Sequence, residues 1–99
     1  MKPILYLPGV ERDLAGGADW FEDKQPGLGR RFLAEFDLTC QRIPHYPEMY
    51  PCVQPHVRRA IIQAMSYAIY YRIKSEAIEI IAALPTRIDP DTVENRIMG

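Results

Sequence analysis

Five side chains in the second half of the chain are candidates for contacting a binding partner: Arg58, Arg59, Tyr70, Arg72 and Arg87. Guanidinium groups bind carboxylates and phosphates, often through two hydrogen bonds, and exposed aromatic rings often dominate protein interfaces. Arg58 and Arg59 are adjacent on a predicted strand, so they should point to opposite faces of the sheet. We expect one of them to pair with an acid of the preceding helices. We expect Tyr70 to be exposed beside Arg72.

The sequence contains no recognisable set of catalytic or metal-binding residues. His45 and His56 are eleven positions apart, and no carboxylate or thiol cluster accompanies them at metal-ligand spacing. Cys40 and Cys52 are isolated cysteines, which suits a reducing compartment. The glycines at 27–29 lack the Lys-Ser/Thr of a phosphate loop. We therefore predict no metal and no cofactor, and catalytic residues cannot be assigned.

The length and charge of the chain limit the kinds of protein it can be. Ninety-nine residues predict a single domain, 1–99. The net charge of −1 argues against a protein that mainly wraps nucleic acid, although the region 58–87 is locally basic. That basic region suits an acidic partner, nucleic acid or solvent alone. No run of 18 apolar residues and no signal-peptide pattern is present, so we predict no membrane segment and a cytoplasmic location.

Hydrophobic periodicity predicts the elements that must position these side chains. A short strand is predicted over 2–7, followed by helical patterns from residue 10 and over 28–43, and then by a Pro-rich irregular loop over 46–55. Strands are predicted over 57–65, 68–73 and 77–84, and a short helical turn over 91–98. Gly16 and Gly17 indicate either a bend in the first helix or a very close neighbour. The pattern predicts an α+β fold in which a helix hairpin packs on a small, mainly antiparallel sheet, with Tyr67 and Tyr71 in the core.

Three parts of the chain resemble the RelE/ParE superfamily, the toxins of type II toxin–antitoxin operons. They are DWFE at 19–22 with PGLGRRFL at 26–33, IPHYP at 43–47, and RRAI at 58–61 with YAIYYRI at 67–73. Together they cover most of the chain, and they occur in the order β-α-α-β-β-β that is typical of this superfamily. The resemblance implies a cognate antitoxin, and either a homodimer or a toxin–antitoxin heterotetramer.

The resemblance also separates two classes of target. RelE-like members cut messenger RNA on the ribosome, and they carry an arginine just after the tyrosine that opens the central strand, where this chain has Ala68. They carry a tyrosine about six residues after an arginine in the last loop. If that arginine is Arg87, the tyrosine position is Val93. Because alanine and valine cannot stabilise charge or move protons, the sequence favours the ParE-like branch, the plasmid stabilisation proteins that inhibit DNA gyrase without catalysis.

Departures from the ParE-like pattern leave two alternatives. Met65 and Ser66 stand where many relatives have Phe-Pro, Gln63 and Ala64 replace basic residues, and the last loop keeps only Arg87. The chain could be a disarmed toxin that only binds its antitoxin. It could also be an mRNA endonuclease in which Arg58, Arg59 or Arg87 acts with a tyrosine such as Tyr67 or Tyr70.

Overall fold

Two antiparallel helices form the first layer of the structure, a computed structural model that describes residues 1–98. Helix α1 spans Val10–Lys24 and α2 spans Leu28–Arg42, and a 3-10 turn over Ile43–His45 continues α2. Each helix follows a glycine with positive φ, 99° at Gly9 and 89° at Gly27, a conformation that glycine adopts without steric cost. Both helices turn one apolar face toward the sheet.

One glycine of the α1 pair, Gly17, is explained by a close neighbour, and the helix continues through both glycines without a break. A Cβ at Gly17 would lie 2.7 Å from the Phe32 ring on α2, whereas a Cβ at Gly16 would meet nothing. On the other helix, a Cβ at Gly29 would lie 2.5 Å from the carbonyl oxygen of Ala18. The hairpin therefore depends on glycine at the two points where the helices touch most closely.

A five-stranded mixed sheet forms the second layer. Its strands are β1 Ile4–Tyr6, β2 Cys52–Gln54, β3 Val57–Ile62, β4 Tyr67–Ile73 and β5 Ile78–Pro85. They lie in the order β1-β5-β4-β3-β2, with β1 parallel to β5 and every other pair antiparallel. Strand β5 is flanked on both sides, which explains its almost continuous apolar sequence. The predicted α+β arrangement of one strand, a helix hairpin and a mainly antiparallel sheet is confirmed.

The two faces of the sheet carry separate apolar clusters. The first face packs on α1 and α2 around Phe32, Phe36, Ile69 and Tyr71. The second face carries a smaller cluster, which is covered by helix α3 and the segment before it. The second-face cluster consists of Val57, Ala68, Tyr70, Ile81, Ala82 and Leu84, packed against Leu7, Ile88, Val93 and Ile97.

Several predicted boundaries were wrong for identifiable reasons. The strand predicted over 57–65 ends at Ile62, because residues 63–66 form the turn that lets Ile62 pair with Tyr67. The loop predicted over 46–55 contains the short strand β2, whose three residues give no periodic signal. The C-terminal turn is a nine-residue helix, α3 Pro90–Met98, which packs its apolar side on the sheet.

Helix α3 is fastened to the rest of the domain by one ion pair. The Arg96 guanidinium donates to both carboxylate oxygens of Asp13 on α1, at 2.6 and 2.7 Å. Asp13 Oδ2 also accepts the backbone N–H of Ala83, which lies on β5 beyond the end of β1. Asp13 therefore joins α1, β5 and α3 at one point.

Among residues 1–98, no helix is long and apolar enough to cross a membrane. The same residues contain no group of three or more His, Cys, Asp or Glu side chains placed to hold a metal ion.

Candidate target-binding surface

Arg59 and Tyr70 lie side by side on the second face of the sheet and line one groove. They are directly paired residues on β3 and β4, so their side chains emerge next to each other. The groove has a volume of about 310 Å³ and runs between the β2 edge and the start of α3. Its remaining lining residues are Val53, Gln54, Thr86, Ile88, Pro90 and Val93. Two of the five predicted contact residues are thus brought together.

The burial of Tyr70 contradicts the sequence prediction. Its side chain is only 3% exposed because α3 and Ile88 cover the second face. The prediction failed because the alternation along β4 assigned Tyr70 correctly to the face opposite Tyr71 but gave no sign that a helix covers that face.

Arg59 has an unusual polar environment. The side chain is half-buried, and its Nε is the one buried side-chain polar atom in residues 1–98 that lacks a hydrogen-bond partner. A buried N–H group without an acceptor raises the free energy of the folded state, so such groups are rare in native proteins.

Arg72 lies on the same strand as Tyr70, two positions further along. Its Nε donates to Glu79 Oε1 at 2.9 Å, and the two residues are directly paired across β4 and β5. The side chains are 30% and 22% exposed, so the ion pair is partly accessible to solvent. Arg72 is therefore already paired with the Glu79 carboxylate, and a binding protein would have to share the Arg72 guanidinium group with Glu79.

Arg58 points to the first face, as the alternation along β3 predicts, but its role is structural. Its Nη1 donates to the carbonyl oxygens of Glu48 at 3.0 Å and Tyr50 at 2.6 Å. The expectation that Arg58 or Arg59 pairs with an acid of the helix hairpin is wrong. The carbonyl groups of the Pro-rich loop lie nearer to Arg58 and take the place of that acid.

Arg87 lies two residues beyond the end of β5, at the rim of an apolar cleft of about 280 Å³. It is exposed and forms no ion pair within the part of the chain that the structure describes. The cleft lies between α1 and the β3–β4 turn, and Trp20, Phe21, Met65 and Tyr67 form much of its wall. Trp20 is 54% exposed there, with the Lys24 ammonium 4.6 Å from its ring centre, so it combines packing with an accessible surface.

Comparisons with known proteins identify relatives of this chain. The family model described as "ParE toxin of type II toxin-antitoxin system, parDE" matches residues 4–90. Toxin ParE2 of Mycobacterium tuberculosis, from strains CDC 1551 / Oshkosh and ATCC 25618 / H37Rv, is 30% identical over 92 residues, which are 92% of this chain and 88% of the relative. The chain belongs to the ParE toxin family.

A solved structure entitled "Chromosomal ParDE TA system from P. aeruginosa" has the same fold as this ParE-family toxin. The TM-score is 0.77 at 15% sequence identity, and the match covers 86% of this chain and 96% of the other. The family match ends at residue 90, where α3 begins. The helix that covers the second face thus lies outside the matched segment.

Ala68 and Val93, the residues on which the prediction of a ParE-like branch rests, both belong to the second-face packing. Ala68 is completely buried on β4, and Val93 of α3 packs against the same second-face cluster. A cation at residue 68 would be buried in this cluster with Ile81, Ala82 and Leu84, where a charge is costly to desolvate. The nearby Tyr67 is a poor proton acceptor or donor at neutral pH, because burial, with a smaller effect of Asp13, raises its pKa.

Sequence reasoning missed Thr86 and the backbone of the β3–β4 turn. Thr86 borders both the groove and the cleft, and its N–H donates to the carbonyl oxygen of Ser66 at 2.9 Å. Ala64 and Ser66 in that turn have φ of 69° and 54°, which is uncommon for residues with a side chain. Strained backbone of this kind is enriched at functional sites. The only sequence signal of this strained turn is that its four residues, 63–66, include no glycine.

Proposed function

We propose that this toxin acts by binding DNA gyrase and blocking its activity, with no bond-breaking chemistry of its own. The observation that carries this proposal is the burial of Ala68 in the second-face cluster, against which Val93 of α3 also packs. The positions that would supply the cation and the proton-transfer group of an RNA-cutting relative are thus both occupied by apolar side chains at the same cluster. Membership of the ParE toxin family supports the same conclusion.

The proposed contact surface has two parts. One is the groove on the second face, with Arg59 and Tyr70, and Arg72 beside it. The other is the cleft with Arg87 and Trp20 at its rim. The cleft combines an exposed aromatic ring with an arginine, the residue types that most often dominate protein interfaces, whereas the groove offers Arg59 beside the nearly buried Tyr70. Arg58 is not part of this surface, because it holds the Pro-rich loop.

We propose that a cognate antitoxin neutralises the toxin by covering the side where β1 meets the helix hairpin. A groove of about 390 Å³ lies there between Tyr6, Leu14 and Phe36. Several large apolar side chains of β1 and α2 are exposed, namely Leu5, Tyr6, Leu33 and Leu38. Strand β1 is at the edge of the sheet, so a partner segment could add as a strand or lay an apolar helix face in the groove. Such a complex would form in the cytoplasm, where DNA gyrase works.

The experiment that tests the target is pulse-labelling of DNA and protein synthesis in bacteria after induction of this chain alone. We expect DNA synthesis to fall first, because gyrase relieves the torsion ahead of replication. An earlier fall in protein synthesis would contradict the proposal and indicate a ribosomal nuclease. Unchanged synthesis of both, with folded protein present in the cells, would indicate a toxin that has lost its activity.

The antitoxin is tested by co-expressing the product of the adjacent reading frame. Restored growth together with co-purification of the two proteins is the expected result. Exchange of Leu33 and Leu38 for serine should weaken the complex, because both side chains are exposed on the helix hairpin and are not needed for the core. Full binding by that double variant would place the antitoxin elsewhere.

A further inference from the structure

We propose that the groove at Arg59 binds a carboxylate side chain of the protein that this toxin targets. The inference rests on the proposed function only for the identity of the partner, since the chemistry of the groove stands on its own residues. The groove is a preformed hollow of about 310 Å³ beside β3, and Arg59 is the one arginine or lysine that lines it.

Arg59 has unfilled hydrogen-bonding capacity. Its Nε is buried, and no acceptor among the described residues lies within reach. Because Nε is closed to solvent in the unbound chain, a carboxylate in the groove would reach the terminal nitrogens of Arg59 first, and a rotation of the guanidinium group would then let it accept from Nε as well, which is the preferred geometry of an arginine–carboxylate pair. A bound carboxylate would neutralise the half-buried cation and, after that rotation, remove the cost of the unpaired N–H.

The neighbours of Arg59 in the groove also suit a carboxylate side chain. Tyr70 and Thr86 bring hydroxyl groups, which can donate further hydrogen bonds to an anion. Val53, Ile88 and Val93 make the rest of the wall apolar, which suits the methylene groups of a glutamate side chain.

Nucleic acid, the other common anionic partner, fits this groove less well. Binding of a phosphate backbone usually requires several cations, because the affinity comes from the neutralisation of many phosphates. The groove offers one arginine, and the chain carries a net charge of −1. Asp89 and Asp91 are exposed next to Pro90 at the groove and would repel a polyanion. A single carboxylate on an otherwise apolar segment therefore fits better than a nucleic acid strand.

The test is a nuclear magnetic resonance titration of the full chain labelled with nitrogen-15, in which the Arg59 Nε–H signal is followed directly. The probes are the peptide acetyl-Leu-Glu-Leu-amide and its uncharged partner acetyl-Leu-Gln-Leu-amide, with inorganic phosphate and single-stranded DNA as further arms. We expect the glutamate peptide to shift the Arg59 signal and to bind about tenfold more tightly than the glutamine peptide, since one charge-assisted hydrogen bond has roughly that effect.

Two variants complete the design. Arg59→Lys retains the charge but lacks the forked donor, so the preference for glutamate over glutamine should shrink by several-fold. Arg31→Gln removes an exposed arginine of α2, on the other side of the sheet, and should leave that preference unchanged. The dispersion of the backbone signals shows that each variant is folded, and the comparison of the two peptides on the unaltered chain needs no variant at all.

Three results would overturn the proposal. They are equal binding of the two peptides, a shift of the Arg59 signal with phosphate or DNA at lower concentration than with the glutamate peptide, and an Arg59 signal that no probe moves because a water molecule satisfies Nε. These results can be distinguished from a failure of the proposed function, because a glutamate site can exist in a chain that leaves gyrase unaffected. Conversely, gyrase inhibition without a glutamate preference would retain the function and remove this site.

Discussion

Tyr71 and Tyr70 are consecutive residues of β4 with different hydrogen-bonding situations. The Tyr71 hydroxyl donates to the carbonyl oxygen of Pro47 at 2.6 Å, which ties the Pro-rich loop to the sheet. Burial raises the pKa of Tyr71 to about 12, so the hydroxyl keeps its proton and remains a donor throughout the physiological range. Tyr70 is nearly as buried but its ring lines the groove on the opposite face.

The exchange Tyr71→Phe should therefore lower the free energy of unfolding by about 1 kcal/mol, the usual effect of losing one buried hydrogen bond. The matched exchange Tyr70→Phe should change stability by less than half as much, while it weakens target binding. Urea unfolding followed by circular dichroism measures both values. Equal destabilisation by the two exchanges would contradict the assigned role of the Tyr71 hydroxyl.

The start of helix α2 depends on a carboxylate that belongs to α1. Glu22 accepts the backbone N–H of Gly27 at 3.0 Å and that of Gly29 at 3.0 Å, so it satisfies donors that the first turn of a helix leaves unpaired. Both hydrogen bonds lower the pKa of Glu22 below its ordinary value, and the one from Gly27 has the larger effect. The two helices are thus joined by a cap as well as by their glycine contacts.

Because the pKa of Glu22 is lower in the folded state, its contribution to stability is present above the unfolded-state pKa. The contribution is lost as the pH falls through the folded-state pKa. The exchange Glu22→Gln should therefore reduce the fall in the urea midpoint between pH 6 and pH 3. Asp23→Asn is the control, since Asp23 is exposed on the same turn and does not accept these N–H groups. An unchanged pH dependence in the Glu22 variant would contradict the capping role.

Helix α3 is held on the domain by apolar packing and by an ion pair. Its apolar side rests on the second-face cluster, and its only ion pair within residues 1–98 joins Arg96 to Asp13. Asp13 is the more central partner, because it also accepts the N–H of Ala83.

The exchange Asp13→Ala should lower the free energy of unfolding by about 2 kcal/mol, since it leaves Arg96 and the Ala83 N–H without their acceptor. Arg96→Ala should cost about half as much, because Arg96 is the more exposed partner. Hydrogen exchange of residues 90–98 should accelerate in both variants. Arg12→Ala, an exposed neighbour on α1, should leave this exchange unchanged. Slow exchange of α3 in the Asp13 variant would mean that apolar packing alone holds the helix.

For the whole molecule, the sequence predicted the elements with strong periodicity and failed where tertiary packing decides. The helix hairpin and strands β3 to β5 carry clear 3.6- and 2-residue patterns, so their existence was predictable. Strand β2 and the full length of α3 were not, because one is three residues long and the other is stabilised by the sheet it covers. The bulge at Ile81, where Tyr70 pairs with Ala82 and Tyr71 with Ile80, is also invisible in the sequence.

The site was predictable to the same extent. The strand pattern placed Arg59 and Tyr70 on neighbouring strands, but their direct pairing depends on the turn at 63–66, which the predicted strand 57–65 had included. The burial of Tyr70 follows from α3, and the role of Arg58 follows from a loop without regular structure. Arg72 and Arg87 are where the pattern puts them, at the sheet face and after the last strand, but the sequence did not indicate the Glu79 partner or the cleft. The sequence thus indicated which residues could form the site more readily than which residues they contact.

The central claim is that this toxin inhibits DNA gyrase by binding alone. The most direct test is a supercoiling assay with purified gyrase and relaxed plasmid, titrated with the folded chain and compared with Arg59→Gln. The account predicts loss of supercoiling in proportion to the chain added, a weaker effect of the variant, and intact ribosome-bound message in a parallel reaction. Full supercoiling at a large excess of folded chain, together with cleavage of that message, would contradict it.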